Sequence, residues 1–418
     1  MNSIRETAPE PVYRWVIVSA SALMLALSMG MMVNGTSVFF IPLFEEFGWQ
    51  RGDVSLINTS GLVGLAIGGI FMGRIADETP IRRVILVGAV VIGLCILGAS
   101  QATVLWQFYV LFFIAGFLGA GALFAPLIAN VGNWFKTGSG LALGIAAAGQ
   151  ALGQGGMPYV LALLIGALGW RDALMSVGLT MLVLLISLAM LIKQPPKNTI
   201  SSDVSAADDP LADPVADVGD AVLIAPNTTA LWLGAAAILC CICMAVPLMH
   251  LVPLMQDRGI TLEEAGSVLF VMLIVAIAGR IAFGKLADMI GAIRTYLIAS
   301  CFQTVLVFFF LEINTLQGYY IFAVIYGFGY AGVMTSILVC VRVLTPVSKR
   351  ASVLGIVIFF AFMGHGIGGY QGGFFFDLTG NYTLTYANAA FAGIINLILV
   401  GALYITTNRR RAALAFAT

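Results

Sequence analysis

Arg280 is the residue in this chain with the most to explain. It stands in the run Ala278-Gly279-Arg280-Ile281-Ala282-Phe283-Gly284, among apolar and small neighbours. A cation near the centre of a hydrocarbon span costs about 2.5–3.5 kcal/mol on insertion scales, so one that persists there faces a cavity or snorkels to the headgroups. Its planar fork of donors suits a carboxylate bidentately. His250 and His365 sit in other apolar runs, His250 after Pro247 and His365 between Gly364 and Gly366. Either could carry a proton or a second positive charge, or could be a packed polar residue hydrogen-bonded across helices. Gln150 and Gln154 share one helical face at i and i+4, as do Tyr326 and Tyr330. With Asn34, Tyr370 and Gln371 they can line a cavity or join helices. No Asp or Glu lies near the middle of any apolar run. A buried positive charge with no buried acid to neutralise it is a receptor for an anion.

Those residues need long membrane helices to position them. The chain is 60% hydrophobic and 10% charged, against roughly 25% charged in soluble domains, so it cannot coat itself with a wet surface. A span takes about 20 apolar residues. The hydropathy pattern predicts twelve, at about 15–43, 54–76, 83–101, 105–131, 140–166, 172–193, 229–255, 263–286, 293–313, 317–343, 351–376 and 383–406. The first run is too long for a cleaved signal and is read as a retained helix. The fold class expected is therefore all-α and integral to the membrane, in two six-helix halves. Residues 1–193 form the first half and 229–418 the second. Between them residues 194–228, with five prolines and six aspartates, read as an acidic linker. With the N-terminus inside, sixteen Lys and Arg fall on the inner side. Three, Arg51, Arg171 and Arg258, fall outside, which places both termini and the linker in the cytoplasm.

Several chemistries are excluded. Gly-rich stretches in spans 4, 5 and 11 follow no strand and precede no G-K-[ST], so they are packing faces and not nucleotide loops. Cys240, Cys241 and Cys243 have no His or carboxylate at ligand spacing and read as packing cysteines. No cofactor, metal or nucleic-acid partner is expected. With only two histidines and no clustered acids, an embedded enzyme is disfavoured, as is a non-transporting sensor, for which the linker is too short.

The two halves repeat. Gly73-Arg74-Ile75-Ala76-Asp77 with Arg82-Arg83 follows span 2, and Gly284-Lys285-Leu286-Ala287-Asp288 with Gly291 and Arg294 follows span 8. Parallel six-span repeats place a site between the halves at mid-membrane. These junctions resemble the signature of the major facilitator superfamily, G-x-x-x-D-[RK]-x-G-[RK]-[RK], with Glu78 and Pro80 departing from it. The resemblance implies a gating role for Gly73, Asp77, Arg82, Gly284 and Asp288. Trp134-Phe135-Lys136 and the run Gly140–Gly149 are similar to a motif of monocarboxylate carriers and oxalate/formate exchangers. Leu168-Gly169-Trp170-Arg171 and Asp377–Tyr382 also resemble that branch. The branch implies that Arg280 binds substrate. It also places an Asp four residues before that Arg, where this chain has Ala276, and a Lys in the first span, near which this chain has Asn34.

The expectation is a secondary transporter of small organic carboxylates, monocarboxylates first, working by alternating access as proton symport or anion exchange. Arg280, Asn34, Gln150, Tyr330 and His365 are the candidate binding residues, and His365 and His250 the candidates for proton coupling. A dicarboxylate antiporter, with His365 protonated, stays open as an alternative. So does a carrier of neutral or cationic solutes, which would usually need a buried acid. The absence of organelle signals suggests a bacterial inner membrane.

Overall fold

The computed structural model describes residues 12–135, 139–194 and 224–417. Twelve of its helices are long and apolar enough to cross a membrane. Spans 1 to 6 are Tyr13–Val38, Arg51–Ala76, Ile81–Ser100, Leu105–Asn133, Ala142–Leu168 and Trp170–Leu191. Spans 7 to 12 are Pro226–Gln256, Leu262–Ile290, Ala292–Glu312, Leu316–Leu344, Val353–Thr379 and Thr383–Ala412. No strand occurs among the described residues. The predicted spans match in number and lie within a few residues at most ends. Linker residues 195–223 lie outside the described residues.

Local chemistry sets the helix ends. Pro226 opens span 7 at the position where its missing N–H is not needed. Thr261 caps span 8 through the N–H of Glu264, whose carboxylate reaches back to Thr261. Gly380 ends span 11 with φ +70°, and the turn it allows brings Tyr382 back beside Phe376. Large apolar side chains such as Val183, Ile398 and Phe71 point outward, where lipid covers them.

Span 1 is not a uniform helix. It passes through a π-turn at Gly30–Asn34 and a 3₁₀ turn at Gly35–Val38. Such turns free backbone carbonyls, which must be satisfied inside a membrane protein. Asn58 of span 2 donates to the carbonyls of Met32 and Val33 at 3.0 and 3.1 Å. Gly30 and Gly153 let spans 1 and 5 approach closely, since a Cβ on either would strike the opposing backbone.

Spans 1–6 and 7–12 meet along two seams, span 2 against span 11 and span 5 against span 8. The face where span 1 begins is called proximal below, and the opposite face distal.

Candidate substrate site and the seams that enclose it

The distal ends of the seams are locked. Arg51, the first residue of span 2, is only 7% exposed. Its guanidinium donates to both oxygens of Asp257 at the end of span 7, at 2.7 and 2.5 Å, and to the Tyr382 hydroxyl at 2.7 Å. It also lies 3.8 Å from the centre of the Phe376 ring. Asp377 of span 11 accepts the backbone N–H groups of Arg51 and Gly52 at 2.9 and 2.6 Å. Those are unsatisfied first-turn donors of span 2, so a carboxylate of one half caps a helix of the other. Thr59 donates to the Gly366 carbonyl at 2.9 Å, one level deeper. On the second seam Gly155 and Gly266 admit Leu273 and Ala162, and Tyr159 stacks on Phe270.

His250 belongs to this seal. It is fully buried, with Nε2 2.7 Å from the Gly369 carbonyl, which makes Nε2 the protonated nitrogen. Phe40 and Tyr382 pack on its ring. Its Nδ1 has no hydrogen-bond partner among the described residues.

Arg280 stands on span 8, about 15 Å along the helix from its proximal end at Ile290. It is half-buried and, among the described residues, makes no hydrogen bond or ion pair. Gly279 and Phe283 beside it pack on span 10 against Phe328 and Gly332. Tyr330 of span 10 is 3% exposed and stacks on Tyr326. The packing of Gly279 and Phe283 on span 10 puts Arg280 and Tyr330 on adjoining helices of the second half.

His365 faces inward. Gly364 packs on Ile238 of span 7, Gly366 on Thr59 of span 2, and Ile367 is exposed at the lipid side. At 100° per residue His365 points between spans 7 and 2, away from lipid. It is 4% exposed, and its Nε2 has no partner among the described residues. Gln150 is half-buried on span 5, beside the glycines that meet span 1. No hydrogen bond among the described residues links His365 or Gln150 to Arg280. Asn34 lies between spans 1 and 5. It is fully buried, with one amide N–H donated to the Gln154 carbonyl at 3.1 Å and its Oδ1 without a partner among the described residues, as the π-turn it ends sets its side chain against span 5.

The proximal ends of the seams are apart. A Cβ added to Gly73 of span 2, Gly144 of span 5 or Gly355 of span 11 would meet nothing within 4 Å. Gly284 of span 8 would meet only Thr335, on its own half. Asp288 is exposed, and Arg82 reaches the Met190 sulfur within the first half. The Asp77 side chain lies outside the described residues. Phe124 and Phe362 touch edge to face across the halves, about 14 Å above the proximal ends of their helices. The bundle is therefore sealed distally and splayed proximally.

Sequence reading missed Arg51, Asp257, Asp377 and Tyr382. Each reads alone as a loop charge or loop aromatic, and the pairs are separated by 206 and 326 residues. The one signal was the resemblance of Asp377–Tyr382 to a carrier motif.

The family profile described as Major Facilitator Superfamily matches residues 22–369, with a second match over 231–417. The chain is 26% identical over 391 residues to monocarboxylate transporter 13 of Rattus norvegicus, covering 92% of this chain and 87% of that protein. It is 24% identical over 349 residues to the MFS-type transporter pynF of Aspergillus niger, covering 82% of this chain and 76% of that one. A bacterial homologue of the human lysosomal transporter Spinster, solved inward-facing and occupied, superposes with a TM-score of 0.74 at 15% identity, over 96% of this chain and 98% of that one. The two sequence relatives are animal and fungal, and give no support to a bacterial inner membrane.

Proposed function

We propose that this chain, which belongs to the Major Facilitator Superfamily and is an integral membrane transporter rather than an enzyme, carries small organic carboxylates, monocarboxylates first, by alternating access. The observation that carries this reading is Arg280: a half-buried cation deep in a span, with no protein partner among the described residues. A carboxylate supplies the missing partner, in bidentate geometry and with the strength of a charge-assisted bond. Likeness to monocarboxylate transporter 13 supports the same cargo class.

The charge distribution makes the proximal face cytoplasmic, with both termini there. The conformation described then receives or releases cargo on the inside. An empty positive cavity resists closure, and an anion on Arg280 removes that resistance. The halves rock, the distal seal parts, and the junctions carrying Gly73, Asp77 and Arg82 and carrying Gly284 and Asp288 close the proximal side. Gln150 and His365 face the path from the seam helices, and Asn34 joins them only if the π-turn of span 1 rearranges. Ala276 one turn before Arg280 offers no proton-carrying acid, so exchange is favoured unless His365 takes the proton. The unpartnered Nε2 of His365 also favours a second reading. Protonated, it would give the site a second positive charge and fit a dicarboxylate antiporter.

A thermal-shift panel of small carboxylates at two pH values, on purified protein and on Arg280→Ala, tests the proposal. The expected result is stabilisation by at least one acid, reduced at least about a hundredfold in apparent affinity by the substitution, as loss of two charge-assisted hydrogen bonds implies. Equal stabilisation of both proteins would make Arg280 a snorkelling residue.

A further inference from the structure

The distal seal is built from carboxylates, and this has a consequence for how it opens. All the acceptors and the aromatic face that hold the Arg51 guanidinium, namely Asp257, Tyr382 and Phe376, come from the opposite half. The acceptor of the first two N–H groups of span 2, Asp377, comes from there as well. Among the described residues no side chain of the first half pairs with the guanidinium. When the halves part distally, a cation now 7% exposed and two helix N–H donors lose every partner at once. Removing one partner of a buried ion pair is strongly unfavourable because the remaining charge stays uncompensated. Water relieves part of that cost, and an anion of the same shape relieves more.

The approach for such an anion is present. A cleft of about 490 Å³ on the distal side, lined by Asp257, Arg258, Glu312, Phe376, Asn381 and Tyr382 among others, reaches three of the groups that hold Arg51. The Asp257 side chain is 31% exposed to it, while Arg51 behind it is buried.

We propose that Arg51 and the first turn of span 2 form a second carboxylate-binding site at the distal mouth. Asp257 and Asp377 occupy it in the sealed state, and an external carboxylate takes their place as the mouth opens. The two aspartates are internal copies of the ligand group, so the anion competes with the seal itself. The site catches cargo at the mouth and makes opening depend on cargo. The identity of the anion rests on the carboxylate reading of Arg280, but the site does not use Arg280, and the test separates the two.

The probe is a cysteine introduced at Thr59, inside the seal, in full-length protein with the exposed Cys301 replaced by serine and the five buried cysteines kept, labelled by a water-soluble maleimide. Acetate is compared with its neutral isostere acetamide at constant chloride. The expected result is at least a threefold faster labelling with acetate, none with acetamide, and the same acceleration in Arg280→Ala. Arg51→Gln should abolish the acceleration. Asp377→Asn, which keeps Arg51, should label faster without acetate and guards against a misfolded Arg51→Gln. Acceleration that disappears in Arg280→Ala would place all anion sensing at the centre and overturn the distal site. Acceleration that survives in Arg51→Gln would overturn it equally.

Discussion

At their distal ends spans 2 and 11 are interlocked, and at their proximal ends the same two helices stand apart. Distally a Cβ on Gly373 would run into the Arg51 backbone and the Ser55 hydroxyl, and one on Gly52 into the Asp377 carboxylate. Proximally Gly73 and Gly355 face open space, as does Gly144 on span 5. Small residues therefore recur at both ends of the seams, while only one end uses them. The contrast teaches what the proximal glycines are for. Under the proposed alternating access, a face kept smooth along its whole length but packed over only part of it is one on which the partner helix closes in another state.

Paired substitutions break this comparison most sharply. Gly373→Val at the packed end should wedge the seal apart and lower transport at least tenfold, with loss of thermal stability. Gly355→Val at the open end meets nothing here, so stability should stay within about 0.5 kcal/mol, the range of uncrowded substitutions. Its transport should nevertheless fall, because the proximal face could no longer close. Uptake and melting temperature measured on both variants check this. Normal uptake by Gly355→Val would remove proximal closure at that level.

A smaller effect separates the rims of the two halves. Arg258 donates to the carbonyls of Leu311 and Ile313 and to the Tyr319 hydroxyl, tying down the end of span 9. In the first half Arg171 donates to the carbonyls of Ser100 and Ala102 at the end of span 3 and also pairs with Glu46 at 2.8 Å. Arg258→Ala should cost about 1.5–3 kcal/mol, as for hydrogen bonds to a charged group. Arg171→Ala should cost less, because that side chain is a third exposed. A calorimetric comparison of the two variants gives the order, and the reverse order would contradict it.

The smallest effect is the acid limit of the first-half rim. Burial alone raises the Glu46 carboxyl, but hydrogen bonds from Arg171 and Trp170 and the charge of Arg171 outweigh it and hold the group below its ordinary 4.5. Its folded value is depressed, so its contribution is present above about 4.5 and fades as pH falls through the lower folded value. Glu46→Gln should therefore lower the melting temperature slightly at pH 7 and leave it unchanged well below pH 4. An equal difference at both pH values would show that the pair acts by packing alone.

Much of the architecture was legible in the sequence. Hydropathy is a local property, and the twelve spans, their order and the repeat around Gly73 and Gly284 follow from it. Arg280 was legible because a lone charge in an apolar run is conspicuous. The seal was not. Arg51, Asp257 and Asp377 each stand at a helix end, where charge is ordinary, and only the packing of the halves shows that they meet. Asn34 marks the opposite case. Its polarity was visible, but the π-turn that turns one of its amide donors onto the Gln154 carbonyl leaves no period in the sequence. His250 likewise read as titratable, while the Gly369 carbonyl that fixes its tautomer comes from span 11.

Uptake of a radiolabelled monocarboxylate into proteoliposomes tests the central claim most directly. The reading of Arg280 as the cargo's counter-charge predicts saturable uptake by the unaltered protein. It predicts background uptake by Arg280→Ala and a strongly reduced rate for Arg280→Lys, which keeps the charge but not the fork. Undiminished uptake by Arg280→Ala would contradict it.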